Sequence, residues 1–331
     1  MRRTLPTAVN GATWSVSRGQ VLQSCERKYF FQYLAGARLN SADPWLRGIA
    51  LLKKLKNIAM WQGECVHNAI AEFLTQAQYG KAPPFDSVDR SLKQRVQRDW
   101  LFSEKRRFRE EPASVGRFGT ALFEHEYDEV PPETCVEELG GEATAMLRNF
   151  FLWVENTPDF MTAFMAARRR WIEPPAWGIA APGFMVGNVQ AIAKVDLAMH
   201  KQNGEFVIYD WKTGAPPKPG SSGTQNEIQV SVYMLWAHLA LNLPLKAISS
   251  QLVYLGGSRP SEFKFDLDEE RGVETQQIIA DSLEQAQRWE GYVNAQRIQL
   301  DGLDFAGSVQ ECRRCNFERV CRAALSPKEL P

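Results

Sequence analysis

The 331-residue sequence has no apolar run long enough to cross a membrane. It also has no apolar segment after the two arginines of MRRTLPTAVNGATW, so neither a spanning helix nor a secretory leader is expected. A cytosolic location is the default expectation, with no membrane partner. Net charge is absent too: 39 Lys and Arg balance 39 Asp and Glu, which argues against a chain coated in positive charge for nonspecific nucleic-acid binding. No internal repeat and no G-x-x-x-x-G-K-S/T phosphate loop occur, so the chain carries no nucleotide-driven motor of its own. Cysteine is scarce, and six thiols in a cytosolic chain of this size are not a disulfide framework.

What is there is a globular composition, 44% hydrophobic and 24% charged, with length for one large domain or two smaller ones. Residues 15–34, SVSRGQVLQSCERKYFFQYL, read as one capped, aromatic-rich helix containing Cys25. From 46 to 166 the pattern is mostly helical, interrupted by the Pro and Gly clusters GKAPPFD, EEPASVGRFG and EVPPE. Strand-like segments start near Arg168 and run through GFMVGNVQAIAKVDLAM, GEFVIYDWK, KAISSQLVYLG and SEFKFDL. A helix, TQNEIQVSVYMLWAHLAL, interrupts them, and another follows from Glu269 to about Gln296. The expected class is α+β with an α/β core: a helical first half, a mixed sheet with a hairpin and a crossover helix, and a cysteine-bearing tail. The Pro-, Gly- and Ser-rich loop TGAPPKPGSSGTQ is expected to be the most mobile segment and to border or gate whatever site lies beside it.

The stretch KVDLAMHKQNGEFVIYDWKTG places Asp196, Asp210 and Lys212 among apolar residues, and a charge leaving water must be paired, ligate a metal or change protonation. A three-residue loop Gln202-Asn203-Gly204 centres a hairpin on Asn203, setting Asp196 opposite Asp210 on one face with Lys212 two residues on. The competing two-residue turn Asn203-Gly204 shifts the register by one and separates the acids. Two carboxylates on one face suit a hard divalent cation such as Mg²⁺ or Mn²⁺, and a neighbouring lysine can orient water or stabilise phosphoryl charge. Taken alone, D-x-K is equally the pattern of a surface ion pair.

Three further features are informative in company. His67 in WQGECVHNAIAEFL lies on an apolar helical stripe, as a core histidine does, yet imidazole also ligates Mn²⁺. Gln229 and Tyr233 share a helix face in IQVSVYML, as a polar stripe or as hydrogen-bond donors to a phosphate or catalytic group. Cys312, Cys315 and Cys321 form C-x2-C-x5-C in ECRRCNFERVC and need a fourth ligand, for which Cys25 is the choice; zinc or a 4Fe-4S cluster fits four thiolates. Cys65 and Cys135 read as free buried thiols. Two basic runs, Lys93 to Arg109 and Arg168-Arg169-Arg170, are local patches or solvated helix faces.

Together these motifs resemble the PD-(D/E)XK nuclease superfamily, and within it the RecB-like exonucleases with an iron-sulfur cluster, a group that includes the CRISPR-associated RecB-like exonucleases and the nuclease domain of AddB. The resemblance rests on Ser15, Ser17 and Cys25, GECVHNAI, KVD, YDWKTG, QVSVY and CRRCNFERVC in that order; residues 80–165 carry no matching motif. It implies that His67, Asp196 and Asp210 ligate Mg²⁺ or Mn²⁺, that Lys212 is the catalytic lysine, and that Gln229 and Tyr233 support the active site. It further implies that Cys25, Cys312, Cys315 and Cys321 hold a structural 4Fe-4S cluster. Two positions depart from the family pattern: Ala193 replaces a glycine three residues before the first acid, and Glu26 replaces a proline after the first cysteine.

The expected organisation is an N-terminal segment (1–45) supplying one cluster cysteine, a helical region (46–166) carrying His67, a nuclease core (167–268) and a C-terminal cluster segment (269–331). The expected activity is metal-dependent DNA exonuclease action on single strands or ends, with a helicase, recombination or CRISPR protein as partner for any unwinding. The rival expectation is a noncatalytic DNA-binding or assembly subunit that keeps the fold.

Overall fold

The computed structural model describes residues 13–36, 42–173, 182–187, 189–218, 224–294, 303–304 and 309–325. Strand β1 (Thr13–Trp14) leads into α1 (Val16–Ser24), capped by Ser15, whose hydroxyl accepts from the Arg18 backbone N–H at 3.3 Å. The single helix expected over 15–34 is broken at Cys25. That residue is extended (φ −165°, ψ 111°) and ends α1. Its Sγ then accepts from the Lys28 N–H at 3.3 Å, capping α2 (Glu26–Tyr29), which widens into a π-helical stretch, Phe30–Ala35. A side-chain acceptor at the break satisfies an otherwise orphaned helix N–H.

The helical region follows the expected punctuation. It comprises α3 (Pro44–Leu52), β2 (Leu55–Lys56), α4 (Ile58–Ala77), α5 (Phe85–Glu104), α6 (Arg107–Glu110), β3 (Ala121–Leu122), α7 (Phe123–Tyr127), α8 (Val136–Asn156) and α9 (Asp159–Ala166). The long helices α4, α5 and α8 bury Trp61, Val66, Ile70, Leu92, Val96, Leu147 and Phe150 in one core. A smaller cluster of Leu55, Phe102, Phe108, Ala121 and Phe123 sits around the parallel pair β2–β3.

His125 on α7 is buried beside the Trp100 ring (centroids 4.5 Å apart), and its Nδ1 has no hydrogen-bond partner. Burial holds its pKa below 6.5; Glu104 pulls it up and Arg106 down. The unfolded chain therefore takes up this proton first as pH falls, so stability is lost below about pH 6.5 until the folded imidazole also protonates. Urea midpoints at about pH 7.5 and about pH 5.5 should differ more for the wild type than for His125→Phe, which keeps the ring and removes the titration. Equal differences would assign the acid sensitivity elsewhere.

The main sheet runs in the order β10-β9-β8-β7-β4, built from β4 (Arg169–Ile172), β7 (Leu197–His200), β8 (Phe206–Lys212), β9 (Ile248–Tyr254) and β10 (Ser261–Asp266). Between β4 and β7 lie β5 (Gly183–Val186) and β6 (Val189–Ile192). The segment 183–199, strand-like throughout in sequence, is thus divided: β5 and β6 form a hairpin with Gly187 at φ +56°, join β1 in a separate sheet, and hand over to β7 through a bend. Strands β8 and β9 are parallel and joined by the crossover helix α10 (Thr224–Leu241). Helices α11 (Glu269–Asn294), α12 (Val309–Arg313) and α13 (Glu318–Leu325) complete the described chain.

Alternation along β8 decides what each face meets. Val207, Tyr209 and Trp211 pack into the core shared with α4 and α8, while Phe206 and Ile208 join Val232, Leu235 and Trp236 of α10. Asp210 and Lys212 therefore point to the α10 side. Helix α10 is covered in turn by Trp14, Phe184 and Ala191 of the small sheet and by Ile279 and Leu283 of α11. It is consequently buried all round from Val230 to Ala237, not the amphipathic helix that a polar stripe would suggest. No helix among the described residues is long and apolar enough to cross a membrane.

Candidate active site

The hairpin takes the register centred on Asn203. Leu197 pairs with Tyr209 and His200 with Phe206, Lys201 and Glu205 close the loop at 2.8 Å, and Gly204 adopts φ +91°. The two-residue turn is thereby excluded, and the ladder extended by one residue sets Asp196 against Asp210. Asp196 occupies the bend where the chain passes from the small sheet to the main one. Its Oδ2 accepts from the Trp211 backbone N–H at 2.8 Å, and its carbonyl accepts from the Glu173 N–H at 3.0 Å. Ala193, the departure from the family glycine, is fully buried with its N–H bonded to the Pro182 carbonyl, so a methyl is accommodated on this path.

Helix α4 delivers His67, whose Nδ1 stands 3.0 Å from Asp196 Oδ1. Burial disfavours the imidazolium, but the Asp196 carboxylate, as charge and hydrogen-bond partner, and the more distant Asp210 outweigh it and raise the pKa. Asp210 is 3% exposed and is pushed up to about 6 by burial and by the Asp196 charge, against the pull of Lys212. Lys212 Nζ lies 2.7 Å from Asp210 Oδ2 as an ion pair, yet that buried oxygen accepts no well-aligned hydrogen bond. The same ammonium donates to Gln229 Oε1 at 2.6 Å, and Gln229 Nε2 donates to the Tyr233 hydroxyl at 2.6 Å. Burial first, then the two aspartates, drive the Tyr233 phenol well up, so it stays protonated.

The six candidate residues thus form two linked groups, His67 with Asp196 and Asp210 with Lys212, Gln229 and Tyr233, which the hairpin register sets against each other. The buried Tyr233 hydroxyl finds its partner in half-buried Gln229, and Gln229 finds its own in Lys212. Among the described residues no three or more His, Cys, Asp and Glu side chains are gathered as a ready-made metal site; Asp196 is bonded to His67 and Asp210 is paired with Lys212. The chemistry of the donor set nonetheless fits a hard divalent ion: two carboxylates, one with a buried oxygen held only by the Lys212 ion pair, and an imidazole.

Glu173, just after β4, was not legible as a site residue because nothing in EPPAWG marks it. Its N–H bond to the Asp196 carbonyl puts it next to that acid, and its carboxyl pKa is raised by burial, lowered by Lys194 and raised by Asp196. Of the loop 213–225, residues 219–223 lie outside the described residues, and with them the expected gate.

Close packing sets the position of His67. Gly63 lies one turn before it on the same face, and a Cβ there would stand 2.8 Å from Thr213 Oγ1 at the end of β8. The Thr213 backbone is itself packed against Gly256, where a Cβ would strike its carbonyl. Gly63→Ala must therefore turn the Thr213 side chain or shift α4, and a shift of α4 would cost any hydrolysis at this site about tenfold or more in rate at near-normal thermal stability. Recovery in Gly63→Ala/Thr213→Ser would argue against this contact, because the hydroxyl is kept; recovery in Gly63→Ala/Thr213→Gly would support it.

The cysteines lie apart from this site. Cys315 donates its N–H to the Cys312 carbonyl at 2.9 Å, and Cys321 donates its own to the Phe317 carbonyl at 2.8 Å, forming a tight knuckle. Burial raises the Cys315 and Cys321 thiols, and neighbouring Cys25 adds to both. Arg27 hydrogen-bonds Cys321 and donates Nε to the Leu303 carbonyl at 3.1 Å. Glu26, the second departure from the family pattern, accepts from the Asp304 N–H at 3.0 Å. Phe31 stacks on Phe317 with ring centroids 5.5 Å apart. Among the described residues no three or more of these thiols are gathered closely enough to hold a metal. Cys65 is buried, its thiol pushed up to about 12 mainly by burial, whereas Cys135 is only half-buried and donates to Glu137 Oε2 at 3.0 Å, contrary to the expected buried thiol.

Residues 13–322 match the PD-(D/E)XK nuclease superfamily. No curated protein matches the chain. A solved structure, the crystal structure of SSO0001, is similar at 16% sequence identity and a TM-score of 0.32, over 68% of this chain and 97% of that one.

Proposed function

Because the chain belongs to the PD-(D/E)XK nuclease superfamily, we propose that it is a metal-dependent DNA exonuclease acting on single strands or ends, with a structural 4Fe-4S cluster. The observation that carries this reading is the placement of Asp196 opposite Asp210, with His67 bonded to the first acid and the relay of Lys212, Gln229 and Tyr233 paired with the second. His67, Asp196 and Asp210 would hold Mg²⁺ or Mn²⁺. Such an ion, when bound, supplies Lewis acidity and lowers the pKa of a coordinated water. Lys212, released from Asp210 Oδ2, is left to face the phosphate and stabilise the charge that develops on it. Gln229 fixes the ammonium by accepting from it, and Tyr233 fixes Gln229. Cys25, Cys312, Cys315 and Cys321 would hold the cluster, tying the N-terminal segment to the C-terminal knuckle. A helicase or a recombination or CRISPR protein would supply unwinding.

The test is digestion of end-labelled single- and double-stranded DNA by anaerobically purified protein in Mn²⁺, Mg²⁺ or EDTA. Metal-dependent release of short products from single strands or ends is the expected result, and the label position reads the polarity. A folded, cluster-loaded protein that cleaves nothing would favour the noncatalytic subunit.

A further inference from the structure

Outside the catalytic region, one face of α5 opens into a cavity of about 270 Å³ lined by Arg98, Leu101, Phe102, Lys105, Arg107 and Phe118. The first four are spaced i, i+3, i+4 and i+7, one face of the helix. Phe102 is buried and forms the floor; Leu101 is 42% exposed and Phe118 58% exposed. Three cations line the cavity and no acid does. Arg98 pairs with Asp99 at 2.8 Å and Arg107 with Glu111 at 2.8 Å, while Lys105 has no ion-pair partner among the described residues.

An exposed phenylalanine on a loose loop would mean little, but Phe118 is held. Its N–H donates to the Ser114 carbonyl at 2.9 Å, and Gly116 (φ +86°) donates to the Gly119 carbonyl at 2.8 Å. A Cβ at Gly119 would strike the Phe102 ring, so the loop lies hard against the floor. Arg117 sits 4.9 Å over the Phe118 ring and Arg107 5.4 Å over that of Phe102. The result is a rigid aromatic wall and apolar floor rimmed by positive charge. Helix α5 also packs on α4, the helix that carries His67: the Trp61 indole N–H on α4 reaches Asp99 Oδ2 at 3.4 Å.

We propose that this cleft is an anchoring subsite for single-stranded nucleic acid, with one base stacked on Phe118 and the flanking phosphates held by Arg98, Lys105 and Arg107. The proposal rests on the nuclease reading for its choice of occupant. A ring and an apolar floor accept any base, and the cations accept the backbone, so binding is sequence-tolerant and salt-dependent. An acidic protein segment would use the cations but leave the ring face opposite Arg117 uncovered.

The experiment is fluorescence anisotropy of labelled oligothymidylate, about 20 nucleotides long, with the full chain in EDTA, so that binding is read without cleavage. Phe118→Ala should weaken binding about tenfold, Phe118→Trp should restore it, and Lys105→Glu should weaken it and lower the salt slope by at least about one. Cleavage of a trinucleotide, which occupies the catalytic region alone, should be unchanged in all three. Wild-type affinity and salt slope in both Phe118→Ala and Lys105→Glu would overturn the proposal. So would loss of poly-glutamate binding in Lys105→Glu with oligothymidylate binding intact, which would assign the cleft to an acidic protein. If the wild type cleaves neither substrate while Phe118→Ala still loses affinity, the nuclease reading fails and the subsite stands.

Discussion

Lys212→Ala is expected to reduce kcat/KM for DNA cleavage by about a thousandfold or more. The substitution removes the donor proposed to face the reacting phosphate, and losses of two to three orders are typical of such groups. It also removes the charge that lowers the Asp210 pKa, so that carboxyl moves further above its already raised value and holds a metal less well. Lys212→Arg should not rescue activity: the side chain is 20% exposed and its ammonium is wedged between Asp210 Oδ2 at 2.7 Å and Gln229 Oε1 at 2.6 Å, leaving no room for a planar guanidinium. Single-turnover cleavage of both variants in Mn²⁺ is the measurement. Wild-type rates in Lys212→Ala would remove this residue from the chemistry and, with it, the proposed mechanism.

If the proposed cluster is present, Cys315→Ser should remove it and lower thermal stability by about 10 °C. A structural metal centre contributes directly to folding, and a loss of several kcal/mol moves the Tm of a chain this long by about that amount. The damage should be regional. Phe31, Leu46, Ile49, Leu303 and Phe317 share one apolar cluster with Cys315 and Cys321, and Tyr127 and Leu55 bind Asn316 and its surroundings through the Tyr127 hydroxyl, Asn316 and Arg319. Loosening the knuckle therefore frees the N-terminal segment as well. Anaerobic visible absorption and melting curves on wild type and variant check this: a brown wild type that bleaches and melts early on substitution is expected. An unchanged spectrum and Tm in Cys315→Ser would dismiss the cluster, and a colourless wild type with stoichiometric zinc would replace it with zinc.

Much of the fold was legible because it rests on short-range causes. The Pro and Gly clusters divide the helical region where they fall, and TQNEIQVSVYMLWAHLAL reads as a helix with the bounds that α10 takes. Gln202-Asn203-Gly204 set the hairpin register, since Gly204 can take φ +91° without a Cβ penalty, and that register alone put Asp196 opposite Asp210. Cys25 misled, because a helical pattern on both sides conceals a residue whose thiol caps the second half.

What the sequence could not carry are the relations between distant segments. Taken by residues alone, Gln229 and Tyr233 read as a polar stripe or as donors to a catalytic group, and only the packing of α10 between the sheets buries Tyr233 and brings Gln229, half-buried beside it, to Lys212. Glu173 has no motif around it and enters the site because β4 ends where the Asp196 bend begins. Phe118 and the α5 face are ordinary loop and helix residues until Gly119 lets them meet. The sequence by itself determined the class of fold, the hairpin and the kinds of side chain available to hold metal. Tertiary structure decided which of them touch, because burial makes a polar group's partner obligatory and local sequence does not say which surface will bury it.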